Sequence, residues 1–194
     1  KGCPLYYAED FDVPEGFPPL DLEGPCQQEN LRTVCAALTI LCGGVPASSM
    51  AAISRAAAVT GLRGRWERLL GRPETICDIA HNPPALRHNF ARLQALGRPM
   101  LIVFGMMADK DIDAIVPLLP PDAEYFPVQP LTPRAMKLDD LALKLKYLNI
   151  SPRPSVAQGV SAALLRAAQL EDAVIYIGGS TYVVSEAISY LESV

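Results

Sequence analysis

Two histidines and five cysteines are all the imidazole and thiol groups that 194 residues offer, and the cysteines (3, 26, 35, 42 and 77) form no C-x-x-C pair. That odd, scattered set argues against a structural zinc site or a disulfide framework and fits a reducing cytoplasm. Long apolar runs are scarce too. The longest, around Val34–Cys42, falls well short of the ~18–20 residues a membrane helix needs. There is no basic run or basic–aromatic stripe, and the net charge is −4, which argues against a nucleic-acid partner. No G-x-x-x-x-G-K-[S/T] phosphate loop is present, and no G-x-G-x-x-G follows a first strand, which counts against a dinucleotide-binding module. The chain opens at Lys1 without Met or a leader pattern, and its first residues read as mid-domain, so a truncated or proteolytic product is expected rather than a mature protein with a processed start.

What is present is 50% hydrophobic and 20% charged, enough for one whole domain plus a piece of another. Residues 1–60 read as the piece. A short mixed segment, Pro4–Phe11, leads into a proline-rich loop, Val13–Leu20. Asn30–Leu41 is Ala/Leu-rich and predicts a buried helix closed by Gly43-Gly44, and Ser48 or Ser49 can cap a second helix to about Val59. Two helices with few strands do not make a domain, so this part is expected to dock onto something outside it.

From Gly61 the pattern changes. Trp66–Leu70, Thr75–Ile79, Met100–Gly105, Glu124–Val128 and Ala173–Ile177 predict strands. Between them run helical faces: Leu86/Phe90/Leu93, Leu138/Leu141/Leu145/Leu148, Val156/Val160/Leu164 and Val184/Ile188/Leu191. Met100–Gly105 and Ala173–Ile177 are apolar throughout, as strands covered on both faces should be. The alternation predicts a three-layer α/β domain with a mainly parallel sheet over residues 61–194. Pro127 predicts an edge position or an early end for its strand.

Ligands of such sheets collect beyond the carboxyl ends of the strands, and three of those ends are polar here. After Thr75–Ile79 comes Asp78-Ile79-Ala80-His81-Asn82-Pro83, in which Asn82 is a natural N-cap. Asp78 can accept from ribose hydroxyls and His81 can donate to phosphate or carboxylate oxygens, although the same residues serve equally as a second cap and a turn residue. At Gly178-Gly179-Ser180-Thr181, glycines admit a ligand to the backbone and a following helix offers free N–H groups; plain tight connections look the same. Within Gly105–Asp111, Asp109 and Lys110 are expected to start a helix, with Asp111 complementing its dipole. Arg65, in Gly64-Arg65-Trp66-Glu67, suits a polyphosphate by its planar, permanently charged fork, or forms a surface pair with Glu67 beside a core Trp66.

Together these stretches resemble the Mur ligase superfamily, and within it the folylpolyglutamate synthase/dihydrofolate synthase branch. The residues that carry the resemblance are Gly61–Glu67, Asp78–Pro83, Met107-Ala108-Asp109-Lys110-Asp111 and Gly178–Tyr182, with Gly24–Asn30 matching a Gly-x-His-Gln-x-x-Asn string in which Cys26 replaces the usual His. The resemblance implies a Rossmann-like C-terminal domain at 61–194, preceded at 1–60 by the remnant of a central ATP-binding domain. It implies ATP contacts from Asn30 (adenine), Arg65 (phosphates) and Asp78 (ribose), with His81 and Ser180 near the phosphates and the incoming L-glutamate. The chemistry implied is ATP-driven formation of an acyl phosphate on dihydropteroate or a reduced folate, then attack by the glutamate amine. Mg²⁺ would be held mainly by the absent N-terminal ATPase domain, so these residues alone are expected to be inactive. A cell-wall Mur ligase and a non-catalytic nucleotide-binding α/β module are the competing expectations.

Overall fold

A computed structural model describes residues 2–193. The chain divides into two units at the Arg65–Trp66 junction.

In the first unit, α1 spans Pro25–Cys42 and ends at Gly43, whose left-handed φ of 77° lets its N–H close on the Thr39 carbonyl. The helix starts five residues before the expected Asn30, because Pro25 occupies a position where its missing N–H costs nothing. Leu31 and Cys35, one turn apart, are buried together with Ala36. The second expected helix is broken into α2 (Ala47–Ser54) and α3 (Ala56–Thr60). The break has a cause in Asp21, whose carboxylate accepts the Ala57 and Ala58 N–H groups at 3.1 and 2.9 Å and so starts a new helix after Arg55.

The second unit is a three-layer α/β domain. Its strands are β1 (Glu67–Leu70), β2 (Glu74–Asp78), β3 (Met100–Phe104), β4 (Glu124–Pro127), β5 (Asn149–Ile150) and β6 (Val174–Gly178). They lie in the order β1-β2-β6-β3-β4-β5; all neighbours are parallel except the edge pair β1–β2. The helices are α4 (Pro83–Gln94), α5 (Leu138–Lys144), α6 (Val156–Ala167) and α7 (Thr181–Leu191). Side chains alternate along β3. Ile102 and Phe104 enter a core with Leu86, Phe90 and Leu93 of α4, while Leu101 and Val103 enter the opposite core with α6 and α7. Tyr176 and its neighbours Ile175 and Ile177 divide the same way on the central strand β6.

Several boundaries differ from expectation. Trp66 is not in β1: its φ of 51° is left-handed and breaks the extended chain. No helix begins at Asp109; the segment turns, and a single 3-10 turn forms at Val116–Leu118. The leucine face from Leu138 outlasts its helix, which stops at Lys144, leaving Leu148 just before β5. Pro127 ends β4 early, as one alternative held, and the edge belongs to the two-residue β5. Among the described residues no helix is long and apolar enough to cross a membrane.

Candidate functional site

Registers fix the site before any side chain is considered. Asp78 on β2 and Phe104 on β3 both pair with Gly178 on β6, so the segments that follow these three adjacent strands emerge at one rim. Close packing there depends on Gly179. Its φ is 91°, and a Cβ would stand 2.6 Å from the Gly105 carbonyl oxygen.

At that rim a cavity of about 150 Å³ is lined by His81, Met107, Lys110, Arg134, Ser180, Thr181 and Tyr182. Four neighbouring strands therefore each contribute: β2 through His81, β3 through Lys110, β4 through Arg134 and β6 through Ser180. His81 is half-buried, and its Nδ1 lies 3.1 Å from the Ile79 carbonyl oxygen. A carbonyl only accepts, so Nδ1 carries a hydrogen and Nε2 is the ring atom left for a ligand. Ser180 is buried and caps α7: its Oγ accepts the Tyr182 N–H at 3.1 Å, and its O–H remains to donate. Its position at the first turn of an eleven-residue helix adds the partial positive charge of the free N–H groups.

The cations are arranged by one carboxylate. Arg134 Nη2 lies 3.1 and 3.2 Å from the two Asp109 oxygens, and Lys110 Nζ lies 3.7 Å from Oδ2. The hydrogen bond from Arg134 holds the Asp109 carboxyl below the usual carboxylate range. The loop carrying Arg134 is stitched to the loop after β3: Ala108 N–H donates to the Arg134 carbonyl and Met136 N–H to the Met106 carbonyl, both at 2.8 Å. Glu186 of α7 fastens its other side by accepting the Leu131 N–H at 2.6 Å. Asp111 accepts the Ala114 N–H at 3.2 Å, so it caps a turn rather than a helix.

Of the residues expected from sequence, His81 and Ser180 share the cavity. Asp78 ends the adjacent strand, buried, with Oδ2 accepting the Trp66 N–H at 2.8 Å and Oδ1 the Ala80 N–H at 2.7 Å. Arg65 is exposed and belongs to the first unit, as does Asn30, which is exposed on α1 and donates to Gln27 Oε1 at 3.1 Å. Arg134 was not anticipated. Its only signal is an arginine in the loop after a buried parallel strand. Lys110 was expected only to start a helix with Asp109, and it lies instead in a turn that lines the cavity.

A three-layer α/β domain with a polar cavity at the carboxyl rim of its parallel strands has the layout of the ligand-binding α/β class. The chain belongs to the Mur ligase family, matching its glutamate ligase domain over residues 64–180. It is 33% identical over 171 residues to the dihydrofolate synthase/folylpolyglutamate synthase of Escherichia coli strain K12, covering 86% of this chain and 38% of that protein. It is 30% identical over 184 residues to a probable bifunctional folylpolyglutamate synthase/dihydropteroate synthase of Halobacterium salinarum, covering 93% of this chain and 22% of that protein. Among solved structures, E. coli FolC in complex with DHPP and ADP superposes with a TM-score of 0.76 at 27% identity, over 92% of this chain and 41% of that one. A bifunctional folylpolyglutamate synthase/dihydrofolate synthase with Mn, AMPPNP and L-glutamate bound gives 0.73 at 25% identity, over 91% and 41%. The chain thus spans about two-fifths of the E. coli relative, corresponding to its C-terminal part.

Proposed function

We propose that this chain is the glutamate-ligating domain, with an attached helical portion of the ATP-binding domain, of an ATP-dependent ligase that joins L-glutamate to dihydropteroate or a reduced folate. The observation that carries the reading is the cavity at the carboxyl rim. Lys110 and Arg134 bring two positive charges against one from Asp109, leaving one in excess, the complement of a glutamate with two carboxylates and one ammonium. A guanidinium fork suits one carboxylate. The Ser180 hydroxyl and the start of α7 suit the other, or a phosphate oxygen.

In this reading the acceptor's carboxylate takes the γ-phosphoryl group of ATP, releasing ADP. The glutamate ammonium gives up one proton to become a free amine, which attacks the acyl carbon; the tetrahedral adduct loses a second proton and expels phosphate, leaving the amide. The domain's part is alignment: the amino acid is held by its carboxylates so that its nitrogen meets the acyl group, with His81 Nε2 beside it. Asn30, Arg65 and Asp78 take the adenine, phosphates and ribose. Although both Asp78 oxygens already accept N–H groups, each keeps a lone pair for a ribose hydroxyl. No group of three or more His, Cys, Asp or Glu converges among the described residues. In this reading Mg²⁺ is held mainly by the N-terminal ATPase domain, together with the triphosphate. A cytoplasmic setting belongs to the same proposal.

The test has two arms. Calorimetry of the 194-residue chain with Mg-ATP should give binding of about 1 mM or weaker, roughly −4 kcal/mol, because the contacts here grip only part of the nucleotide. No phosphate should be released with dihydropteroate or a reduced folate plus glutamate. Micromolar binding or turnover would contradict the half-site. The longer ligase containing this chain should release phosphate with those acceptors, and turnover on a cell-wall peptide precursor instead would move it to that branch.

A further inference from the structure

Asp78 does more than end a strand. Its Oδ2 holds the N–H of Trp66 at 2.8 Å and its Oδ1 the N–H of Ala80 at 2.7 Å, both charge-assisted and buried. The Trp66 N–H belongs to the peptide group whose carbonyl is that of Arg65. Trp66 sits at φ 51°, a region bulky residues seldom enter, and the preceding Gly64 is left-handed as well, at 72°. The Trp66 side chain is buried, with the Arg92 guanidinium 3.9 Å from the ring centroid and the Tyr176 ring at 6.3 Å. Tyr176 is itself held by Asn89 at 3.1 Å. Tryptophan prefers extended backbone. Without the carboxylate, Trp66 would be free to extend β1.

We propose that Asp78 is a positioning residue for the Arg65–Trp66 peptide group: its carboxylate pins that group, and with it the backbone on which Arg65 stands. Arg65 and Asp78, each proposed above as a nucleotide contact, are then one device rather than two. Only this consequence rests on the nucleotide reading; the pinned peptide stands without it.

The test is amide hydrogen exchange by NMR on the 194-residue chain, with emission from its single tryptophan. In wild type the Trp66 and Ala80 amides should both be protected. Asp78→Ala should cost both at least about tenfold in protection and shift the Trp66 emission, while amides of β3 and β6 exchange as before. Asp78→Asn, with one acceptor oxygen left, should retain protection at one of the two. Unchanged Trp66 exchange and emission in Asp78→Ala would overturn the proposal. Should that variant fail to fold, scalar coupling across the hydrogen bond between the Trp66 nitrogen and the Asp78 carboxylate carbon in wild type decides: its presence supports the pin and its absence refutes it. In the longer ligase, Arg65→Ala and Asp78→Ala should be non-additive in the KM for ATP, with the double variant close to the worse single one. Additive losses would separate the two residues. No loss from either would instead sink the nucleotide reading and leave the pin to the exchange data.

Discussion

The two ends of the sheet use the same kinds of side chain for opposite purposes. At the amino end Arg98 meets Glu74 and, at 3.0 Å, Asp172, and it also donates to the Asp172 carbonyl at 2.8 Å. Glu74 is shared with Arg68 at 2.6 Å. A cavity of about 630 Å³ opens there, larger than the one at the carboxyl end, yet its charges are matched among themselves. At the carboxyl end two cations share one carboxylate, beside a buried serine and a helix start. On the proposed function, cavity size points to the wrong end, and the mark of the site is charge that the fold brings together and leaves in excess.

The sharpest contrast is Arg98→Ala. It should cost roughly 2 kcal/mol in urea unfolding, because the largely buried Glu74 loses its inner partner and keeps only Arg68, and glutamate binding should be unaffected. Arg134→Ala should do the reverse. Exposed as it is, it should change stability by less than about 0.5 kcal/mol, while the KM for glutamate in the longer ligase rises about one to two decades, roughly 1.5–3 kcal/mol. A variant that moved both quantities equally at either end would erase the distinction. Ser180→Ala lies on the boundary. Losing the cap should cost about 1 kcal/mol, with a further loss of glutamate affinity that Ser180→Thr recovers in part.

The smallest effect is electrostatic. Hydrogen bonding from Arg134 lowers the Asp109 pKa, so its contribution to stability is complete above the ordinary carboxylate value of about 3.9 and is lost as pH falls through the lower folded value. No dependence from this group is expected between pH 5 and 8. An NMR titration of the Asp109 carboxyl carbon should place its midpoint below that of a free aspartate, and Arg134→Ala should return it upward. An unmoved midpoint would mean that the pair does not persist in solution.

How much of this was legible follows from the physics of each element. The buried strands Met100–Phe104 and Val174–Gly178 are continuous apolar runs, and their ends could be placed to within a residue. The site then follows from topology, since β6 lies between β2 and β3 and brings His81 and Ser180 to one rim. Local pattern failed where tertiary contacts decide. β5 has two residues and no periodicity to see, and α2–α3 is split by Asp21, distant in sequence. Trp66 looked like a strand residue because its left-handed turn is enforced by Asp78, twelve positions away. Arg134 was invisible for a related reason. Its value comes from the loop stitching that sets it beside Lys110, and nothing in Thr132-Pro133-Arg134 announces it.

The claim that the carboxyl rim receives glutamate can be put to a single titration: L-glutamate, raised through the millimolar range, followed by amide and side-chain NMR shifts of the 194-residue chain. Shifts are expected at His81, Lys110, Arg134, Ser180 and Thr181, weakened by Arg134→Ala and absent around Arg98. Shifts clustered at the amino end, or a response equal to that of chloride at the same ionic strength, would contradict the assignment.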